Sequence, residues 1–156
     1  MPLPLGLYCR ISMAILSLIS NFQTSFRHRL PRRWRQMSNS APSTRPQIQV
    51  YYHGERSDIL DFVEYGIEEE GVPWYVESMQ RDDLLMVAHV AADDSRLGIG
   101  VAIGDGNPSR IILQHERLPA KQPLFDLPSP TLAQARLLGA NSARLAKRTP
   151  LKRILE

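Results

Sequence analysis

Glu68, Glu69 and Glu70 stand consecutively in this 156-residue chain, and adjacent carboxylates can take up a divalent cation or a basic partner. They fall at the carboxyl end of a helix expected to begin at Ser57, where the backbone dipole is negative and cations are preferred. Each uncompensated glutamate there costs about 0.3 to 1 kcal/mol. Two readings stay open. The run is a solvated acidic end, as charge runs commonly are, or it awaits a cation or basic partner, since violations of local rules gather at functional places. Taking about 100° per residue from an apolar stripe centred on Ile59, Glu68 points away from the core and Glu69 lies on the flank near Asp58.

Other chemistries find less support. Gly98, Gly100, Gly104 and Gly106 suggest a phosphate loop, but such a loop opens a helix, whereas these residues flank or occupy strand sequence. His53, His89 and His115 have no metal-ligand spacing. Cys9 is the single cysteine, which excludes an internal disulfide, and no neighbouring His or bracketing cation marks it as a nucleophile. No nucleophile, base and orienting group can be assembled, so a non-catalytic role is expected.

The elements that must position these residues begin with a short strand at Ile48 to Tyr52, closed by His53 and Gly54. A helix follows, with Ser57 as its cap, Asp58 and Asp61 at its positive end, and Ile59, Phe62, Val63, Gly66 and Ile67 at helical spacing. Gly71 and Pro73 stop it. Trp74 to Glu77 reads as a strand, Asp82 to Ala92 as a helix, Gly98 to Ile103 and Arg110 to His115 as a hairpin about a GDGNP turn. A Pro-rich loop, Glu116 to Pro128, leads to Ser129 as cap and Pro130 as first residue of the last helix or helix pair, with Gly139 a bend. The opening strand, helix, strand pattern predicts an α/β fold: one small layered domain with a mostly parallel sheet.

Charge sets the domain boundary. Residues 1 to 46 hold seven arginines, no Asp or Glu and five of the 12 prolines, so they carry +7, whereas the formal charge of the whole chain is +3. The remainder is therefore at −4, and the basic pI belongs to an extension, 1 to 46, preceding a domain at 47 to 156. Three readings fit the basic tract Arg27 to Arg35: a nucleic-acid or anionic-lipid patch, an organelle presequence, or a disordered tail or mispredicted start with the true start at Met37. The apolar run Ile11 to Ile19 is about half a bilayer span, and basic residues follow it instead of preceding it, so neither a membrane segment nor an export signal is expected. Within the domain, residues 47 to 110 carry 13 acidic and four basic side chains, and residues 111 to 156 carry three and eight. That split suits docking to proteins or internal complementarity.

Read together, YGIEEEGVP (Tyr65 to Pro73), LGIGV (Leu97 to Val101), HERLP (His115 to Pro119) and LGAN (Leu138 to Asn141) resemble, in order and spacing, the small subunit of the adenosylcobalamin-dependent diol and glycerol dehydratase reactivases. The resemblance spans Gln47 to Lys147. It implies a fold like the dehydratase β subunit and a non-catalytic partner of a large, chaperone-like ATPase subunit. By subunit exchange with the dehydratase α subunit, the complex would release damaged cobalamin. It further implies Mg²⁺ at the interface with the large subunit, with Glu69 as this chain's ligand, and ATP bound only through that subunit. No cobalamin is expected on this chain alone, nor nucleic acid or membrane. The implied setting is cytoplasmic, with a bacterial microcompartment an option for propanediol utilisation. Gly139 and Asn141 would shape the last helix without a catalytic role. The competing assignment is a β subunit of the dehydratase itself.

Overall fold

The computed structural model describes residues 44–106 and 108–154. The expectations for residues 1–43, including Cys9, the basic tract and the start at Met37, lie outside the described residues. Five strands, β1 (Ile48–His53), β2 (Trp74–Ser78), β3 (Ile99–Gly104), β4 (Arg110–His115) and β5 (Phe125–Pro128), form one sheet in the order β2-β1-β3-β4-β5. Three helices accompany them: α1 (Asp58–Glu69), α2 (Leu84–Asp94) and α3 (Leu132–Ala146).

The sheet is mixed, which corrects the mostly parallel expectation. β1 runs parallel to β2 and β3, but β3 with β4 and β4 with β5 are antiparallel. Helical crossovers can return a strand in parallel, and only α1 and α2 make them; the short β3–β4 turn can only reverse the chain. β5 lies inside the stretch read as a Pro-rich loop. Its alternation was present in Phe125-Asp126-Leu127-Pro128: Phe125 and Leu127 pack on the core, and Pro128 is tolerated at an edge strand's end.

Strand alternation divides the interior into two layers. On one face Ile48, Val50, Val101, Ile103, Ile111 and Leu113 pack with Leu60, Val63 and Ile67 of α1 and Ala135, Leu138 and Ala143 of α3. On the other, Tyr51, Ala102 and Ile112 pack with Val87, Ala88 and Ala91 of α2. There the buried Tyr51 hydroxyl donates to Asp94 at 2.9 Å, and burial with that carboxylate pushes its proton loss above the ordinary tyrosine range. The small face of α2 matches Gly100, where a methyl group would stand 2.2 Å from Ala92 N. That contact, not phosphate binding, accounts for a glycine in the middle of β3.

Helix starts differ from the sequence expectation in detail. Ser57 holds the cap position of α1 in extended conformation, but its side chain makes no capping hydrogen bond. The helix expected from Asp82 to Ala92 runs instead from Leu84 to Asp94, with Asp83 as its cap accepting from Met86 N. For α3 the cap is Thr131, two residues beyond Ser129, because Thr131 and Gln134 form a reciprocal capping box. Pro130 precedes that helix instead of opening it. α3 is one continuous helix through Gly139, so of the expected single helix or helix pair the single helix holds.

Candidate functional site

α1 ends where Gly71 adopts φ +69°, a left-handed conformation that glycine takes without a Cβ clash, and Gly71 N closes the last turn on Glu68 O at 2.9 Å. That stop sends the three glutamates in different directions. Glu68 is exposed. Glu69 pairs with Arg136 of α3, which places both Nε, at 2.6 Å, and Nη2 on the single oxygen Oε1. Glu70 turns inward and is only 11% exposed. Its carboxylate meets Lys147 at 2.6 Å, Arg144 at 3.1 Å and Lys152 at 3.1 Å. Hydrogen bonds from Lys147, Lys152 and Arg144, in that order of strength, hold the Glu70 carboxyl down to about 2.

The positive charge missing from the helix end is therefore supplied, within this chain, by α3 and the segment after it. Lys147 Nζ also donates to the Glu70 backbone oxygen at 2.9 Å, satisfying a carbonyl at the helix terminus. Of the two readings of the acidic run, the basic partner holds for Glu69 and Glu70 and the solvated end for Glu68. The charge split between residues 47–110 and 111–156 was the signal that could have identified Arg136, Arg144, Lys147 and Lys152. Here it works as internal complementarity.

What lets α3 reach the acidic end is an unusually close helix crossing. A Cβ on Gly66 would lie 2.0 Å from Arg136 O and 2.8 Å from Ala140 N, and one on Gly139 would lie 2.1 Å from Val63 O. Each glycine thus admits the other helix's backbone. Two residues after Gly139, the buried Asn141 donates to Lys152 O at 2.8 Å and accepts from Lys152 N at 2.7 Å. This bracket, with Arg144 Nε donating to Pro150 O at 2.6 Å, ties the segment after α3 beside Glu70.

At the opposite end of α1, Arg56 bonds Asp61 and Glu64, and Trp74 Nε1 donates to Glu64 at 2.9 Å. Among the described residues the histidines make separate local contacts. His53 Nδ1 lies 3.2 Å from Arg81 N and 3.1 Å from Met79 O, whereas His115 Nδ1 accepts from Arg117 N. Among the described residues, no three His, Cys, Asp or Glu side chains gather as a metal-holding group, and no helix is long and apolar enough to cross a membrane.

Known proteins are similar to this chain in sequence and fold. Residues 45–152 match the family described as dehydratase medium subunit. The chain is 31% identical over 110 residues to the propanediol dehydratase-reactivating factor small subunit of Citrobacter freundii, covering 70% of this chain and 92% of that one. Among solved structures it superposes on a glycerol dehydratase reactivase with TM-score 0.66 and 29% identity, covering 71% of this chain and all of that one. A diol dehydratase-reactivating factor complexed with ADP and Mg²⁺ gives TM-score 0.65 at 29% identity, over 70% of this chain and all of that one. The chain belongs to the dehydratase medium subunit family, and its relatives there include the small subunits of diol and glycerol dehydratase-reactivating factors.

Proposed function

We propose that this chain is the small subunit of a reactivating factor for a diol or glycerol dehydratase. The observation that carries the reading is the match to a propanediol dehydratase-reactivating factor small subunit across 92% of that protein. The relatives' names favour it over a β subunit of the dehydratase itself. The working part is the domain from 47 to 156, acting without catalysis of its own beside a large ATPase subunit that binds the nucleotide. It exchanges that partner for the dehydratase α subunit, so that damaged cobalamin leaves and intact coenzyme enters, in the cytoplasm or a microcompartment. The test is reactivation of glycerol-inactivated dehydratase by the large subunit, ATP, Mg²⁺ and fresh coenzyme. Recovery should depend on adding this chain; equal recovery without it would overturn the reading.

Glu69 is the residue proposed to meet Mg²⁺ at the large-subunit interface. The donor chemistry fits a single contribution. Both Arg136 contacts fall on Oε1, which leaves Oε2 as the oxygen able to reach a hard cation, and the side chain is 41% exposed. Magnesium takes six oxygens, so the large subunit and water must provide the others. When bound, the ion would supply positive charge beside Glu69 at the interface. Glu69→Ala should weaken the Mg²⁺-dependent part of complex formation by about tenfold or more. Affinities measured by titration calorimetry with and without Mg²⁺ check this, and an unchanged Mg²⁺ effect would exclude Glu69 as a ligand.

A further inference from the structure

We infer that Arg148, Leu151 and Arg153, on the segment after α3, form a docking surface for an acidic patch of a protein partner. The inference rests on the function proposed above, which makes that partner the large reactivase subunit. α3 ends in a Schellman turn: Thr149 N donates to Arg144 O at 2.9 Å, and Arg148 N to Leu145 O at 3.1 Å. That turn needs a left-handed residue in its middle, and Arg148 supplies it at φ +56°. Glycine adopts this conformation without a Cβ clash, whereas an arginine is strained there. Its side chain does not support the fold either. Arg148 is exposed, and among the described residues its guanidinium has no hydrogen-bond or ion-pair partner. Strain kept at a residue that does nothing for the fold points to a use outside it.

The same segment presents two further groups. Leu151 is 38% exposed, and Arg153 is exposed and likewise without a side-chain partner among the described residues. Their backbone is nevertheless fixed. Arg144 holds Pro150 O, Asn141 brackets Lys152 at both N and O, and Ile154 packs on the core. Lys147 and Lys152 are engaged by Glu70, so the cations offered outward are the two arginines. A leucine between two arginines on a preordered backbone has the composition of a protein-binding patch. Arginine is enriched in such patches, and little ordering entropy is left to lose. Charge selects the partner's sign, because guanidinium groups match carboxylates in bidentate geometry. The apolar centre, and the mildly acidic character of the domain as a whole, favour an acidic protein surface over nucleic acid or an anionic membrane.

The test measures binding of the full chain to the large reactivase subunit by titration calorimetry, alongside the melting temperature of each variant. Arg148→Gly removes the guanidinium and the strain together, so the two readouts should move in opposite directions. Tm should rise by roughly 3 °C, as relief of one left-handed residue in a domain of this size predicts. Kd should weaken about tenfold, the loss expected for one interfacial arginine, and should depend less steeply on salt. Arg153→Gln and Leu151→Ser should each weaken binding about threefold or more. Wild-type affinity in Arg148→Gly overturns the inference, and so does a fall in its Tm, which would show that the side chain serves the fold. A DNA duplex whose binding these substitutions abolish, with the large-subunit complex untouched, also overturns it. Failure of the wild-type chain to bind the large subunit would overturn the proposed function as well, which distinguishes the two.

Discussion

Glu70 and Glu69 are neighbours in sequence with different physics. Because the folded Glu70 carboxyl is held at about 2 against an ordinary 4.5, its ion pairs stabilise the fold fully above the ordinary value. That contribution fades as pH falls from about 4.5 toward 2. Glu70→Gln should therefore lower Tm at neutral pH, and the gap from wild type should close through that acid window. Thermal melts from pH 7 to pH 2 check this; a constant gap would show that the carboxylate charge is not what matters. The sequence made Glu69 and Glu70 conspicuous as a breach of the helix-dipole preference. It could not name their partners, because Arg136 and Lys147 lie 67 and 77 residues away and meet them only through the α1–α3 crossing.

That crossing belongs to the scale of elements. Gly66 appeared in the apolar stripe of α1 and Gly139 as a bend in α3, yet each is a point of backbone contact. One-dimensional periodicity assigns a residue to a face without telling how near the opposing helix comes. Gly139→Ala must push two backbones apart and should cost about 3 kcal/mol, the upper part of the range for overpacked cores. Gly71→Ala meets no atom within 4 Å and suffers only its left-handed φ, so about 1 kcal/mol is expected. Urea denaturation of the two variants separates the cases, and equal costs would refute the close-crossing account. Strands β1 to β4 were legible because apolar alternation and turn residues coincide there. β5 was not, since prolines masked a four-residue alternation whose strand identity depends on pairing with β4. The start of α3 was misplaced because Ser129-Pro130 is a good local signal that the Thr131–Gln134 box overrides.

Across the whole molecule, the acidic first part and basic last part of the domain close on each other through Glu69, Glu70 and the cations of α3 and its tail. Salt should lower Tm modestly, since the screening length shrinks from about 10 Å at 0.1 M to about 3 Å at 1 M. Most of the loss should vanish in Glu70→Gln, whose network spans the two parts; a salt effect unchanged by that substitution would place the relevant charges elsewhere. The pI of about 9.3, first a hint of nucleic acid, describes residues 1 to 46 more than this mildly acidic domain. The bracket between Asn141 and Lys152 also supplies a spectroscopic handle. Lys152 N lies outside any helix or strand, and its proton is held by the Asn141 side chain. Its amide should exchange with deuterium only when the tail lifts from α3. That one resonance would report, in the free subunit and in the assembled complex, how often the clasp beside Glu70 opens.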